Sequence, residues 1–220
     1  MSKTPDSKTP VSKTPDSKTP VSKTVDFIFD FASPNAYLAE GPLRDIAART
    51  GATVNRIPCL LGGIFKLTGN QAPFTAFGGI KGKLAYEQLE MQRFIQRHAL
   101  TRFRMNPHFP INTIHIMRGL VAAQRLSVAD AYVAVVLKAM WEDGENMGDP
   151  MVIARVLGDG GLDSTAILEL SQSQPVKDEL TAHTQAAVDR GAFGIPTFFV
   201  GDEIFFGKER LGQVEEALAG

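Results

Sequence analysis

Cysteine is almost missing from this chain, with Cys59 the single one among 220 residues. One thiol excludes an intramolecular disulfide, a Cys-x-x-Cys redox pair and any cysteine-pair metal site. Such usage suits a reducing compartment, so the expected location is the cytoplasm. Net charge is equally scarce, at −1 from 23 basic and 24 acidic residues. That balance leaves no electrostatic footprint for nucleic acid or for an anionic membrane surface. Long apolar runs are lacking too. No stretch approaches the roughly 20 residues that span a bilayer, and the first residues have no apolar core of a secretion signal. His98, His108, His115 and His183 are scattered without the spacing of metal ligands, so no metal is expected. No G-x-G-x-x-G follows the first strand, and LLGGIFKLTGN lacks the Gly-Lys-Ser/Thr ending of a phosphate loop, which removes two nucleotide-binding readings.

What is present begins with a low-complexity extension. Residues 1–24 repeat SKTPD and SKTPV, with Pro5, Pro10, Pro15 and Pro20 at regular intervals. So polar a segment cannot bury enough apolar surface to offset its ordering entropy, and proline denies it helix and ladder hydrogen bonds. It reads as a disordered tail. The remainder, 44% apolar overall, is long enough for one sizeable core.

Order is expected from Val25. VDFIFDF (Val25–Phe31) has strand patterning and breaks at Ser33-Pro34. Ser33 suits a helix N-cap and Pro34 the first helical position, ahead of a helix that Gly51 closes. ATVNRIPCL returns as a second strand, which a β-α-β unit makes parallel to the first. Roughly the next 130 residues read as helices. KLAYEQLEMQRFIQRHA puts Leu84, Met91 and Ile95 on one face with Leu89 and Phe94 beside it. SVADAYVAVVLKAMW is apolar nearly all round, a buried central helix, with Ser127 and Asp130 at capping-box spacing. Pro150–Leu157, Ser164–Ser171 and Pro175–Arg190 supply further helices. TFFV (Thr197–Val200), Gly201-Asp202 and EIFF (Glu203–Phe206) form a hairpin signal. ERLGQVEEALA closes the chain as a helix with Leu211, Val214 and Leu218 on one face.

The resulting order, β-α-β, a helical insert, then β-β-α, is an α/β layout of the thioredoxin-like kind. It divides the chain into a tail (1–24), a thioredoxin-like domain (25–60 and 192–220) and an all-helical insertion (61–191). Within that superfamily the sequence resembles the 2-hydroxychromene-2-carboxylate isomerases, relatives of kappa-class glutathione transferases. The matching pieces are DFIFDFASPNAYLA (Asp26–Ala39), LLGGIFKLTGNQAP (Leu60–Pro73), MQRF (Met91–Phe94) and FGIPTFFVGDEIFFGKERLGQVEEAL (Phe193–Leu218).

The resemblance implies glutathione as cofactor and a small aromatic acid as substrate, with a homodimer left open. It implies that Ser33 meets the glutathione thiol, where redox relatives place their first cysteine. It implies a cis Ile195-Pro196 bond whose backbone pairs with the cysteinyl part of glutathione. Gly207, Lys208, Glu209 and Arg210 are implied to receive the γ-glutamyl end, and Lys66, Asn70 and Tyr86 to line the organic-substrate pocket. The implied reaction is cis–trans isomerisation by reversible thiolate addition.

The residues themselves allow that chemistry and milder alternatives. Ser33 at a helix N-terminus can donate to a thiolate that the positive helix end favours, or can be an N-cap alone. Lys66 can neutralise a developing enolate or be a solvated surface lysine. Arg210 can bind a glutathione carboxylate or answer Glu215. Cys59 reads as an inert buried thiol. Competing functions are a kappa-like transferase that leaves glutathione on the product, and a glutathione- or peptide-binding module without catalysis. A thiol-disulfide oxidoreductase fits poorly, since Ser33-Pro34 and Asn35-Ala36 carry no thiol.

Deleting residues 2–23 is expected to leave the melting temperature unchanged to within about 2 °C, because the tail has nothing to pack. A thermal scan of the full and shortened chains checks this; a drop of many degrees shows that the tail docks on the body.

Overall fold

A computed structural model describes residues 23–220, so the tail expected over residues 1–24 lies outside the described residues apart from its last two. The first strand, β1 (Thr24–Phe29), starts one residue earlier than its apolar pattern suggests, because Thr24 is already in register with Thr53. It also ends two residues earlier, where Asp30 turns inward. Helix α1 (Pro34–Thr50) and strand β2 (Thr53–Pro58) follow. Then come α2 (Leu61–Thr68), α3 (Pro73–Phe77), α4 (Lys83–Arg97), α5 (Ile114–Arg125), α6 (Ala129–Trp141), α7 (Pro150–Asp159), α8 (Ser164–Ser171) and α9 (Gln174–Asp189). Strands β3 (Thr197–Val200) and β4 (Glu203–Phe206), a 3-10 turn (Lys208–Arg210) and α10 (Leu211–Ala219) complete the chain. No helix among the described residues is long and apolar enough to cross a membrane.

The sheet order is β2-β1-β3-β4, with β1 parallel to β2 and antiparallel to β3. The expected β-α-β … β-β-α arrangement is therefore present. Val25, Phe27 and Phe29 share one face of β1 and are fully buried. Phe27 stacks on Phe198 at 5.0 Å, and Phe29 meets Phe27 and Phe31 edge-on at 5.3 and 4.9 Å. α1 and α10 pack side by side, contributing Leu38, Leu43, Ile46, Leu211, Val214 and Leu218 to the core. α9 packs against β2 and α2.

α6 is the buried central helix that its composition predicts, with Tyr132, Val133, Val136, Met140 and Trp141 all without exposure. Trp141 Nε1 donates to the Phe31 carbonyl at 3.0 Å, tying the helices to the loop after β1. The expected Ser127 cap is not formed. Ser127 has φ +58°, and helix α6 starts after Val128 with no side-chain cap. The backbone explains it: Ser127 N–H donates to Gln124 and Val128 N–H to Ala123, so this turn is spent closing α5. On α4 only Phe94 is buried, with Met91 and Ile95 half-buried, while Leu84 and Leu89 stay exposed.

α5 and α6 approach closely at Gly119. A Cβ there would clash with the Tyr132 hydroxyl, and that hydroxyl donates to the Ile116 carbonyl at 2.9 Å. Gly119→Ala is expected to cost about 1–3 kcal/mol by overpacking, and Tyr132→Phe about 1 kcal/mol through the lost hydrogen bond. The double variant should be more stable than the sum of the two losses, since removing the hydroxyl relieves the worst contact. Denaturant unfolding of the four proteins of this cycle checks it.

Candidate functional site

The turn after β1 and the segment before β3 meet although they are far apart in sequence. Ser33 is the N-cap of α1, 3% exposed, and its Oγ accepts from Ala36 N–H at 3.3 Å. The same hydroxyl donates to the Ile195 carbonyl at 2.9 Å. The Ile195-Pro196 peptide is cis, as expected. Among the described residues the Ile195 N–H has no hydrogen-bond partner, so Ile195 offers an open backbone donor beside an acceptor. Pro196 carbonyl accepts from Gly207 N–H at 2.9 Å, which brings the loop ahead of α10 against the same wall. Gly207 has φ +93° and ψ 149°, a conformation that glycine alone adopts without strain.

The other anticipated residues spread around this centre. Arg210 is exposed and has no ion pair among the described residues. Glu215 is taken instead by Arg49, at 2.8 Å from Nε, and that guanidinium holds the carboxyl below its ordinary range. Lys208 is buried, ion-paired to Glu209, and its Nζ lies 5.3 Å from the centre of the Phe94 ring. Its side chain anchors the loop on α4 rather than reaching out of it. Asn70 Nδ2 donates to the Phe193 carbonyl at 2.7 Å, fastening the end of α2 two residues before Ile195. Lys66, in the last turn of α2, is exposed and unpaired among the described residues. Tyr86 on α4 is 54% exposed, and no hydrogen bond among the described residues links it or Lys66 to Ser33 or Ile195.

Sequence reading missed Asp30 and an aromatic pair. Asp30 was absorbed into the strand pattern, yet it is 1% exposed and accepts from Ala32 N–H (2.9 Å), Leu61 N–H (2.8 Å) and Thr113 Oγ1 (2.7 Å). Burial raises its pKa to about 6, and the hydrogen bonds oppose that rise. Phe193 and Phe206 lie 4.5 Å apart and are each 43% exposed, flanking the Gly194-Ile195 segment. A Cβ at Gly194 would meet the Phe206 ring at 2.8 Å, so this pairing requires glycine there. The glycine before Ile195-Pro196 was the available signal. A separate cleft of about 270 Å³, lined by Ile57, His183 and Arg190 among others, contains none of the anticipated site residues.

Cys59 is buried, its Sγ donating to the His183 carbonyl at 3.4 Å. Burial first, then the nearby Asp30 charge, pushes its thiol up to about 12, so it stays protonated at neutral pH. In a thiol-reagent assay at pH 8 the native chain should show almost no reaction, with one equivalent released on unfolding. Rapid labelling of the folded protein would contradict this.

Comparison with known proteins agrees with this architecture. A family model described as a DSBA-like thioredoxin domain matches residues 24–219. The 2-hydroxychromene-2-carboxylate isomerase of Pseudomonas sp. (strain C18) is 31% identical over 198 residues, covering 89% of this chain and 90% of the relative. The Pseudomonas putida enzyme of that name is 32% identical over 196 residues, covering 88% and 93%. A solved 2-hydroxychromene-2-carboxylate isomerase structure superposes with TM-score 0.75 at 31% identity, covering 89% of this chain and 94% of that one. A probable DsbA oxidoreductase from Streptomyces coelicolor, at TM-score 0.71 and 18% identity over 89% of this chain and 88% of that one, shares the fold. By both the domain model and these relatives, the chain belongs to the DSBA-like thioredoxin domain family and, within it, to the 2-hydroxychromene-2-carboxylate isomerase family.

Proposed function

We propose that the chain is a glutathione-dependent cis–trans isomerase acting on a 2-hydroxychromene-2-carboxylate-like aromatic acid. The observation that carries this reading is the pairing of Ser33 with Ile195. A hydroxyl at the positive end of a 17-residue helix stands 2.9 Å from a carbonyl whose own residue has an open N–H. That is the edge an extended cysteinyl peptide unit needs for one rung of sheet-like pairing. The donor set fits glutathione further along, since the glycine conformation at Gly207 opens the chain and Arg210 is unpaired among the described residues. Lys208 contributes backbone there, its ammonium being directed at Glu209 and Phe94.

Bound glutathione supplies a thiol nucleophile, whose reversible addition lets a carbon–carbon double bond rotate. The chain's part is to orient and to stabilise charge. Ser33 turns its O–H from the Ile195 carbonyl toward the sulfur and steadies negative charge there, alongside the open amide end of α1. Lys66 supplies positive charge for the carboxylate and enolate oxygens of the organic acid. Asn70, already holding Phe193, and the Phe193–Phe206 pair form the adjoining wall, an apolar surface suited to an aromatic ring. Thiol-disulfide exchange has no basis in this chain, whose one thiol is buried and held neutral.

The test is a coupled assay of the purified full chain with glutathione and 2-hydroxychromene-2-carboxylate. Isomerisation over many turnovers with free glutathione conserved supports the proposal. Stoichiometric loss of glutathione makes the chain a transferase, and an unchanged substrate leaves only a binding module. Ser33→Ala should fold with about 1–2 kcal/mol less stability from the lost cap. It should keep glutathione affinity within about 3-fold, while turnover falls about 10²-fold. Undiminished turnover when chemistry is limiting would remove Ser33 from the mechanism.

A further inference from the structure

Helix α2, which carries Lys66 and leads to Asn70, has no cap of its own: its N-cap residue is Leu60, which makes no side-chain hydrogen bond. The first amide of that helix, Leu61 N–H, donates instead to Asp30 Oδ2 at 2.8 Å, across 31 residues of sequence. The other carboxylate oxygen accepts from Ala32 N–H, next to Ser33, and from the hydroxyl of Thr113, the N-cap residue of α5. Three chain segments thus end on one buried carboxylate, and all three partners are donors. We infer that Asp30 is a positioning residue: its carboxylate locks the Ser33 turn to the start of α2 and so fixes Lys66 and Asn70 relative to the Ser33–Ile195 pair. This rests on the proposed isomerase reading for its effect on turnover, but not for its effect on α2.

The lock has a built-in dependence on protonation. A protonated carboxyl carries an O–H; the Thr113 hydroxyl can accept it by turning its own hydrogen away, while the Leu61 and Ala32 amides exchange a charged acceptor for a neutral one. Burial places that proton uptake near pH 6. The three contacts are uncharged, and Cys59, the titratable neighbour that feels the Asp30 charge, remains neutral across this range. The sign follows. The folded-state pKa lies above the unfolded 3.8, so protonation itself favours the folded chain as pH falls through 6. Global stability therefore does not drop there, while the α2 anchor is weakened.

The experiment is amide hydrogen exchange of the full chain between pH 5 and 8, corrected for intrinsic rates, together with steady-state kinetics. In the wild type, protection of Leu61 and the first turn of α2 should fall about 10-fold below pH 6, as a bond to a charged acceptor becomes one to a neutral acceptor. Asp30→Asn places an amide N–H against one of these donors. It should show the low protection at every pH, raise KM or lower kcat for the organic acid about 10-fold or more, and leave KM for glutathione within about 3-fold. Thr113→Val removes a donor that favours the charged carboxylate, so the midpoint should move upward, while Thr113→Ser restores it. Should Asp30→Asn fail to fold, the Thr113 pair still decides: an unmoved midpoint in Thr113→Val overturns the inference. So do Asp30→Asn exchange and kinetics identical to wild type. If the wild type shows no turnover at all, the proposed function fails, and the exchange midpoints alone judge Asp30.

Discussion

β1 forms two ladders at once, and everything else is arranged around that fact. Its partners come from opposite ends of the chain: Asp26, Phe27 and Ile28 face Asn55, Arg56 and Ile57 on one side, and Phe199, Phe198 and Thr197 on the other. The parallel ladder is local and cheap in loop entropy. The antiparallel one closes a loop that contains nine of the ten α-helices of the described residues, and such long closures are costly before their contacts form. Burial offsets the cost. Phe27, Phe29 and Phe198 are without exposure, each worth about 1.5–3 kcal/mol of removed apolar surface, and Trp141 adds a hydrogen bond into the following loop. Once β1 is central, its exit turn and the entry to β3 are forced together, which is where Ser33 meets Ile195.

The parts legible in sequence are those encoded within a few residues. The hairpin of β3 and β4, the Ser33-Pro34 helix start and the Gly51 stop each depend on local turn chemistry, and each is where the pattern puts it. The capping-box spacing at Ser127 misled because two local rules competed for the same turn, and closing α5 prevailed over opening α6. Asp30 was illegible for a different reason. An aspartate ending an alternating strand looks like a solvent-facing residue, and its donors come from residues 32, 61 and 113. The burial of Lys208 is equally non-local, since Phe94 on α4 and the neighbouring Glu209 enclose its side chain. Only the fold brings these groups together.

The charges around the site follow one logic. A buried anion at Asp30 disfavours further negative charge nearby, and the neighbouring Cys59 is held neutral; on α10 Glu215 is neutralised by Arg49. Two cations against the sheet are already committed, Arg56 of β2 to Glu40 and Arg190 at the end of α9 to Asp26. Lys66 and Arg210 keep no anionic partner among the described residues, the first falling between Ser33 and Ile195 in chain order and the second after both. An uncommitted cation on an exposed turn costs little in water, whereas pairing it in advance would have to be undone by each arriving carboxylate. Lys81, Arg97, Arg104, Arg118 and Lys177 are unpaired among the described residues as well; what sets Lys66 and Arg210 apart is their place on the segments that the proposed organic acid and glutathione would approach. In the proposed reading Lys66 keeps its place only while α2 stays anchored, which ties that exposed cation to the buried carboxylate at Asp30.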